Sequence, residues 1–341
     1  MQMPIGMTCC LVATVLPKPF FIRRRPVADS LPPLQSQNAT DASLAGTLGG
    51  RGKGQNGADA MKHWRIEQVA WDRFDAERVD PAIVPLVKAA AMVERNGTDY
   101  ARYLENVFPD DPDFRLAATH WATEEVQHGD ALGRWAMLAD PSWDYPAAFA
   151  RYRAGYSLPL DARESVRGSR TGELIARCMV ETGTSSYYTA LGEATEEPVL
   201  KEICRLIAAD EFRHFKLFYD HMRRYLAREN IGMMRRLRIA LGRIGESEDD
   251  ELAFAYHCGN EPDSLPYDHE RCIASYMAPA IGFYRFRHVE RGMGMVFKAV
   301  GLPPRGRVSA LSAQLAWRLL QHRRRRLADG LPQTGPTALA A

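Results

Sequence analysis

TEEVQHGDAL, residues 123–132, and IAADEFRHF, residues 207–215, decide how this chain folds. Each carries a glutamate and a histidine three positions apart, Glu125 with His128 and Glu211 with His214. On an α-helix that spacing puts both side chains on one face. An isolated Glu-x-x-His is ordinarily a solvated helix surface. Here each pair lies centrally in a long segment of helical periodicity, and two such placements ask for a joint explanation.

The flanking sequence supplies the helices. Residues 109–140, PDDPDFRLAATHWATEEVQHGDALGRWAMLAD, open with Asp110, Pro112 and Asp113 as start signals and meet Pro141 as a stop. Residues 197–227 have Pro198 near their start and apolar periodicity that continues past His214. Residues 81–104, PAIVPLVKAAAMVERNGTDYARYL, read as helix around Glu94, with Gly97 weakening the case for one uninterrupted rod. Residues 170–195 read as helix around Glu181, with Gly183 and the nearby Thr/Ser cluster expected to disturb it locally. Residues 140–165, with Pro141, Pro146 and Pro159, read as a long connection. More helix is expected over 232–258, 270–298 and 308–328, interrupted by glycines and by Leu302-Pro303-Pro304. Few segments alternate as a sheet would require. The expected fold is all-α, a helical bundle with additional C-terminal helices.

A second regularity joins the motifs. Glu94 precedes Glu125 by 31 residues, and Glu181 precedes Glu211 by 30. Each half therefore reads as one helix donating Glu and an antiparallel partner donating Glu and His, with a longer crossover between halves. Glu94, Glu125, His128, Glu181, Glu211 and His214 together match the ligand set of a helical-bundle di-metal site. Carboxylates suit hard oxidised iron, and neutral imidazole suits its ferrous form. Buried without a cation, these groups would carry large desolvation and like-charge costs. Glu124 points about 100° away from Glu125 on a helix and is expected to face elsewhere. Asp210 is either an acceptor for a ligand histidine or an ordinary surface or capping acid. Thr184 lies one turn after Glu181, so its hydroxyl faces the site or bonds back to a carbonyl. The aromatic residues around these segments, Trp121, Trp135, Tyr187 and Tyr188 among them, are expected to pack the core.

Composition narrows the class. An apolar fraction of 46% supports a real core, and a net charge of +2 speaks against a dedicated nucleic-acid binder. The six cysteines are scattered without a Cys-x-x-Cys, so free thiols in a reducing, cytoplasmic setting are expected. No apolar run is long enough for a transmembrane helix, and the basic residues near the N-terminus follow its short apolar stretch, the wrong order for a secretory signal. Residues 1–60 are rich in Pro, Gly, Ser, Asn and Gln and read as a low-complexity arm. Residues 61–330 read as one helical domain, and 331–341 as a flexible tail. His257, His269 and His288 fall in no further metal pattern and are expected to be structural or surface residues.

At this point the residues resemble a known family. TEEVQHGDAL resembles the second iron-binding helix of soluble acyl-carrier-protein desaturases, where a similar Glu-Glu-x-x-His-Gly-Asp stretch occurs. IAADEFRHF resembles their fourth, including the Asp directly before the Glu-x-x-His. MVERNGTDYARYL, residues 92–104, resembles the first, with Glu94 as the match to its iron ligand. VETGTSSYY, residues 180–188, resembles the third, with Glu181 matching the ligand and Thr184 the threonine on the oxygen-reactive side. The resemblance covers about residues 80–225, and the C-terminal region departs from it. It implies a ferritin-like four-helix bundle holding two Fe, ferrous when reduced. It also implies an oxygen-dependent enzyme that inserts a double bond into an acyl chain carried by acyl carrier protein or a related thioester. A ferredoxin-like protein would supply electrons, and a homodimer is a possible assembly. An acidic carrier would suit a basic entrance, for which Arg223, Arg224, Arg235, Arg236 and Arg238 form one candidate patch and Arg323 to Arg326 another. The six ligands alone leave open hydroxylation or N-oxygenation of another substrate, and a non-enzymatic iron-binding role.

Overall fold

The computed structural model describes residues 63–246 and 250–329, so the expected arm and tail lie outside the described residues. Three short 3₁₀ turns over residues 66–78 lead into α1 (Val84–Arg95), α2 (Gly97–Val107), α3 (Pro112–Ala139), α4 (Tyr145–Gly155), α5 (Arg170–Ala194) and α6 (Pro198–Glu229). Five more helices follow: α7 (Met233–Gly245), α8 (Asp250–Asn260), α9 (His269–Gly282), α10 (Phe286–Val300) and α11 (Arg307–Asp329). Every element among the described residues is helical. The fold is the expected all-α bundle with extra C-terminal helices.

Polar residues at the helix starts set the frame. Asp111 accepts the Phe114 amide at 3.0 Å and starts α3, with Pro112 in the first turn. Ser169 does the same for α5 through Gly172, at 3.0 Å. Glu197, fully buried, caps α6 by accepting the amides of Val199 and Leu200 at 3.2 and 2.7 Å. Asn230, in the left-handed conformation at φ 47°, ends α6.

The four long segments pack as two antiparallel hairpins. In one, α1 and α2 run against α3. Asn96 breaks α1 from α2, so residues 81–104 are not one rod. The break lets α2 approach α3 at Gly97, where a side-chain carbon would lie 2.5 Å from Glu125 Cβ. A turn further along α3, a carbon at Gly129 would meet the Arg95 amide at 2.5 Å and the Ala91 carbonyl at 2.7 Å. Only glycine fits either crossing. In the other hairpin, α5 and α6 are joined by a three-residue turn, residues 195–197. Contrary to expectation, α5 runs unbroken through Gly183. Its hydroxyls bond back along the helix, Thr182 to Cys178 and Thr189 to Ser185, both at 2.7 Å.

Residues 140–165 are not wholly a connection either. Pro146 sits in the first turn of α4, where its missing N–H costs nothing, and Asp144 caps that helix through Ala147 at 2.9 Å. The expected helix over 232–258 is two helices, α7 and α8. The segments expected at 270–298 and 308–328 appear as α9 and α10, separated at 283–285, and as α11.

Apolar burial divides along the bundle. One core joins α1, the C-terminal half of α3, the end of α5 and the first half of α6. A second joins α2, the first half of α3, the start of α5 and the second half of α6. Along α6 the first core ends at Ala208 and the second begins at Phe215, with Asp210, Glu211 and His214 in the gap. A polar layer is thus sandwiched between two dry cores. The added helices enclose one side of it: α8 packs on α1, α7 and α10 pack on α5, and α9 and α11 close over them.

The cysteines among the described residues, Cys178, Cys204, Cys258 and Cys272, are buried free thiols. No helix among the described residues is long and apolar enough to cross a membrane.

Candidate metal centre

Each of the six glutamates and histidines singled out by spacing points into the layer between the cores, and each is buried. They form two overlapping groups of four. Glu94, Glu125, His128 and Glu211 make one, and Glu125, Glu181, Glu211 and His214 the other, with the ligand atoms of each group within 4.8 Å of one another. Glu125 and Glu211 belong to both. Each group adds one glutamate and one histidine of its own. If two cations were bound, Glu125 and Glu211 would contribute to both, with Glu94 and His128 serving one and Glu181 and His214 the other. The His128 and His214 rings lie 5.8 Å apart.

The acid preceding each Glu-x-x-His reaches across to the other helix. Nε2 of His128 donates to Asp210 at 2.9 Å, and Nε2 of His214 donates to Glu124 at 2.9 Å. A carboxylate can only accept, so each Nε2 carries its proton and each Nδ1 turns toward the site. For Asp210 this resolves the alternatives in favour of the histidine acceptor. For Glu124 it adds a partner that the expectation did not name. Its side chain does leave the Glu125 face, but α6 crosses on that flank and His214 meets it there.

Two further residues hold the set and carried no sequence signal. Trp64, from the segment before the bundle, donates Nε1 to Asp210 at 2.8 Å and stacks parallel to His128, with 6.1 Å between ring centres. Tyr188 donates its hydroxyl to Glu94 at 2.6 Å and has more than a core-packing role. Thr184 does both things expected of it as alternatives. Its hydroxyl donates to Glu211 at 2.7 Å and also lies 3.3 Å from the Val180 carbonyl.

The electrostatics are those of a crowded, dry anionic site. Burial, then Glu211 and Glu94, push the Glu125 carboxyl well above its ordinary range. Burial and Glu211 do the same to Glu181. Burial also acts on Glu211, but the close approach of the His128 and His214 rings outweighs it and holds that carboxyl well below the usual range. Burial opposes the charged imidazole of His214, yet Glu124 and Glu211 prevail and raise it to about 10.

Donor chemistry then tests the fit to a metal. Oε1 of Glu125, Glu181 and Glu211 and Nδ1 of both histidines are buried with no hydrogen-bond partner. His214 Nδ1 lies 3.0 Å from Glu125 Oε1, but the pair is not aligned as a hydrogen bond. Buried polar atoms are almost always satisfied. Here the unsatisfied atoms belong to the two groups of four and are oxygens and imidazole nitrogens, the donors that divalent iron takes. The two clusters are capable of binding a di-iron centre.

A third cluster, His257, Glu261 and Cys272, is occupied differently. Arg271 clamps Glu261 with Nε and Nη2 at 3.0 and 2.8 Å, and His257 Nδ1 lies 2.5 Å from the same carboxylate. Burial and Glu261 push the Cys272 thiol up to about 11, far from thiolate. His288 Nδ1 accepts the Arg285 amide at 3.1 Å at the start of α10, and its Nε2 lies 2.8 Å from Glu193.

A cavity of about 460 Å³ adjoins the metal layer. Glu94 and Glu125 form part of its wall. The rest is mainly apolar and aromatic, from α1, α2, α3 and α5 and from α7 to α11.

The sequence matches no protein-family model, and no curated protein matches it. Fold and site together are those of a ferritin-like di-iron four-helix bundle, and the site is consistent with an oxygen-dependent di-iron oxidoreductase.

Proposed function

We propose that this protein uses a di-iron centre and dioxygen to oxidise an unactivated C–H chain held in the cavity. The supporting observation is the junction of the two features: Glu94 and Glu125 belong to the ligand set and also line the cavity wall. Glu94, Glu125, His128, Glu181, Glu211 and His214 hold the two irons in this reading. When bound, the irons supply the reduction of dioxygen, chemistry no side chain offers.

The chain's own residues do the rest. Asp210 and Glu124 fix the two imidazoles through their outer nitrogens. Tyr188 orients Glu94. Thr184 lines the cavity and bonds Glu211, which supports reading its hydroxyl as the one on the oxygen-reactive side. Trp64, Asp210 and His128 form a continuous hydrogen-bonded and stacked series from a partly exposed residue to the ligand set, a place for a ferredoxin-like donor to couple. The apolar wall excludes water and accepts a chain.

Desaturation of an acyl chain on acyl carrier protein is the first specific reading, and its support is the set of motif resemblances around the six ligands. Two hydrogens from the chain, two electrons from the donor and two protons would then reduce dioxygen to two waters. The basic helices α7 and α11 suit an acidic carrier, since Arg243 and Leu320 from them line the cavity. Of the candidate basic residues, Arg224 is engaged with Asp111 at 2.6 Å and Arg235 with the Gly168 carbonyl at 3.2 Å. Hydroxylation or N-oxygenation of a free small molecule is the second reading, and the buried Arg177 in the cavity wall favours it.

Anaerobic loading with ferrous iron, then oxygen with a reductant and a panel of acyl-carrier and free-acid substrates, separates them by mass. Loss of two hydrogens marks desaturation, and gain of one oxygen marks hydroxylation. No oxidised product from any substrate, with two irons bound, overturns the proposal.

A further inference from the structure

Arg177 stands apart from the other charged groups lining the cavity. Glu94 and Glu125 belong to the metal set, and Arg243 acts on Glu246 and has a partner of its own. Glu251 accepts from the hydroxyls of Tyr100 and Tyr152, and His288 is tied to Glu193. Arg177 is only 8% exposed, yet none of its five N–H donors makes a hydrogen bond to a described residue. Glu173 approaches Nε at 3.7 Å, beyond bonding distance, and its other oxygen is taken by Tyr103 and Ser165 at 2.9 and 2.8 Å. The Tyr100 ring centre lies 4.8 Å from the guanidinium carbon, a cation–π contact that uses none of the N–H donors. A buried guanidinium stays charged, and leaving its donors unused is costly. The fork of terminal amino groups matches a carboxylate in shape and charge.

We propose that Arg177 anchors the carboxylate of the substrate, so that the cavity takes a free monocarboxylic acid with an apolar body. This rests on reading the cavity as the substrate site of an oxidising di-iron centre. The lining of α5 then acts as a ruler. It runs from Arg177 to Tyr188, a helical rise of about 16 Å. Glu181 is one turn from Arg177, about 6 Å along that axis. An acid anchored at Arg177 passes the metal layer with its first few carbons and reaches toward Tyr187 and Tyr188 with its tail. Oxidation falls near the carboxyl end and not at mid-chain.

Decanoate, methyl decanoate and decanoyl-pantetheine are suitable probes. Their binding to the full chain, metal-free and ferrous-loaded without oxygen, is read from quenching of Trp121, which lines the cavity. Decanoate is expected to bind at least about tenfold more tightly than its methyl ester, the size of a charged hydrogen bond. Arg177→Gln should erase that difference while leaving iron content unchanged. Arg177→Lys keeps the charge, loses the fork and should retain only part of it. Equal binding of acid and ester by the wild type overturns the anchor, as does a preference that survives in Arg177→Gln. Tighter binding of decanoyl-pantetheine than of decanoate also overturns it, and leaves oxidation of a carrier-bound chain standing. Decanoate selectivity that depends on Arg177, without oxidation of any substrate by the iron-loaded protein, supports the anchor and overturns the oxidative reading.

Discussion

Asp210 on α6 accepts from His128 on α3 at 2.9 Å, and the mirror relation holds between Glu124 on α3 and His214 on α6. Each helix therefore orients the histidine of the other. Asp210→Ala should disturb the group containing Glu94 and His128 more than the group containing His214, although Asp210 shares a helix with His214. Glu124→Ala should do the reverse. Loss of such an outer partner typically costs about 10- to 100-fold in metal affinity or activity. Mössbauer spectra of the iron-loaded variants check this, because each substitution should alter one iron site and leave the other near its wild-type parameters.

The overlap of the two groups predicts unequal roles for the four carboxylates. Glu125→Ala together with Glu211→Ala removes both shared ligands and should abolish stoichiometric iron binding. Glu94→Ala or Glu181→Ala alone should weaken one site and leave iron at the other. Iron per chain after gel filtration measures this, and retention of two irons by the double variant would sink the ligand assignment.

Helix approach near the site makes two glycines opposite in their response. At Gly129 an added carbon would sit within 2.7 Å of α1 backbone atoms, so Gly129→Ala must push α1 away from α3. Overpacking of that kind costs roughly 1–3 kcal/mol. At Gly183 nothing lies within 4 Å of the added carbon, so Gly183→Ala should stabilise α5. The helix-interior preference for alanine is about 0.5–1 kcal/mol. Thermal or denaturant unfolding of the metal-free variants should move in opposite directions.

Acid stability should depend on Asp111. Burial tends to raise its carboxyl, but hydrogen bonds from Tyr225 and the Phe114 amide and the charge of Arg224 outweigh that and leave it lowered. A lowered folded-state value means the ionised form is the one that folding favours. Its contribution is fully present above the ordinary aspartate value of about 3.9 and is lost as pH falls through the lowered folded value. Asp111→Asn keeps a capping oxygen and removes the charge. Its stability should fall below wild type at neutral pH, with the gap closing as both are taken to acid. Denaturant melts across that range provide the check.

Sequence alone determined the helices that matter and the six residues at their centre. Periodicity, capping residues and a three-residue spacing are local, because a helix repeats every 3.6 residues whatever surrounds it. The same local rule placed Glu124 off the Glu125 face, and it was right about direction. Only the tertiary structure decided what waits on that flank, since a helix carries no local mark of the neighbour that will cross it. His214 is 90 residues away from Glu124 in the chain. Trp64 over His128, Tyr188 on Glu94 and the unbonded Arg177 in the cavity wall are of the same kind. Pro146 shows the limit at short range too, where one residue serves equally as a loop former or as the first turn of α4 until its neighbours pack. The metal layer was legible because its residues sit on two repeated local patterns. The cavity was not, because its walls come from α1, α2, α3, α5 and α7 to α11, and their meeting depends on crossing geometry that no single segment encodes.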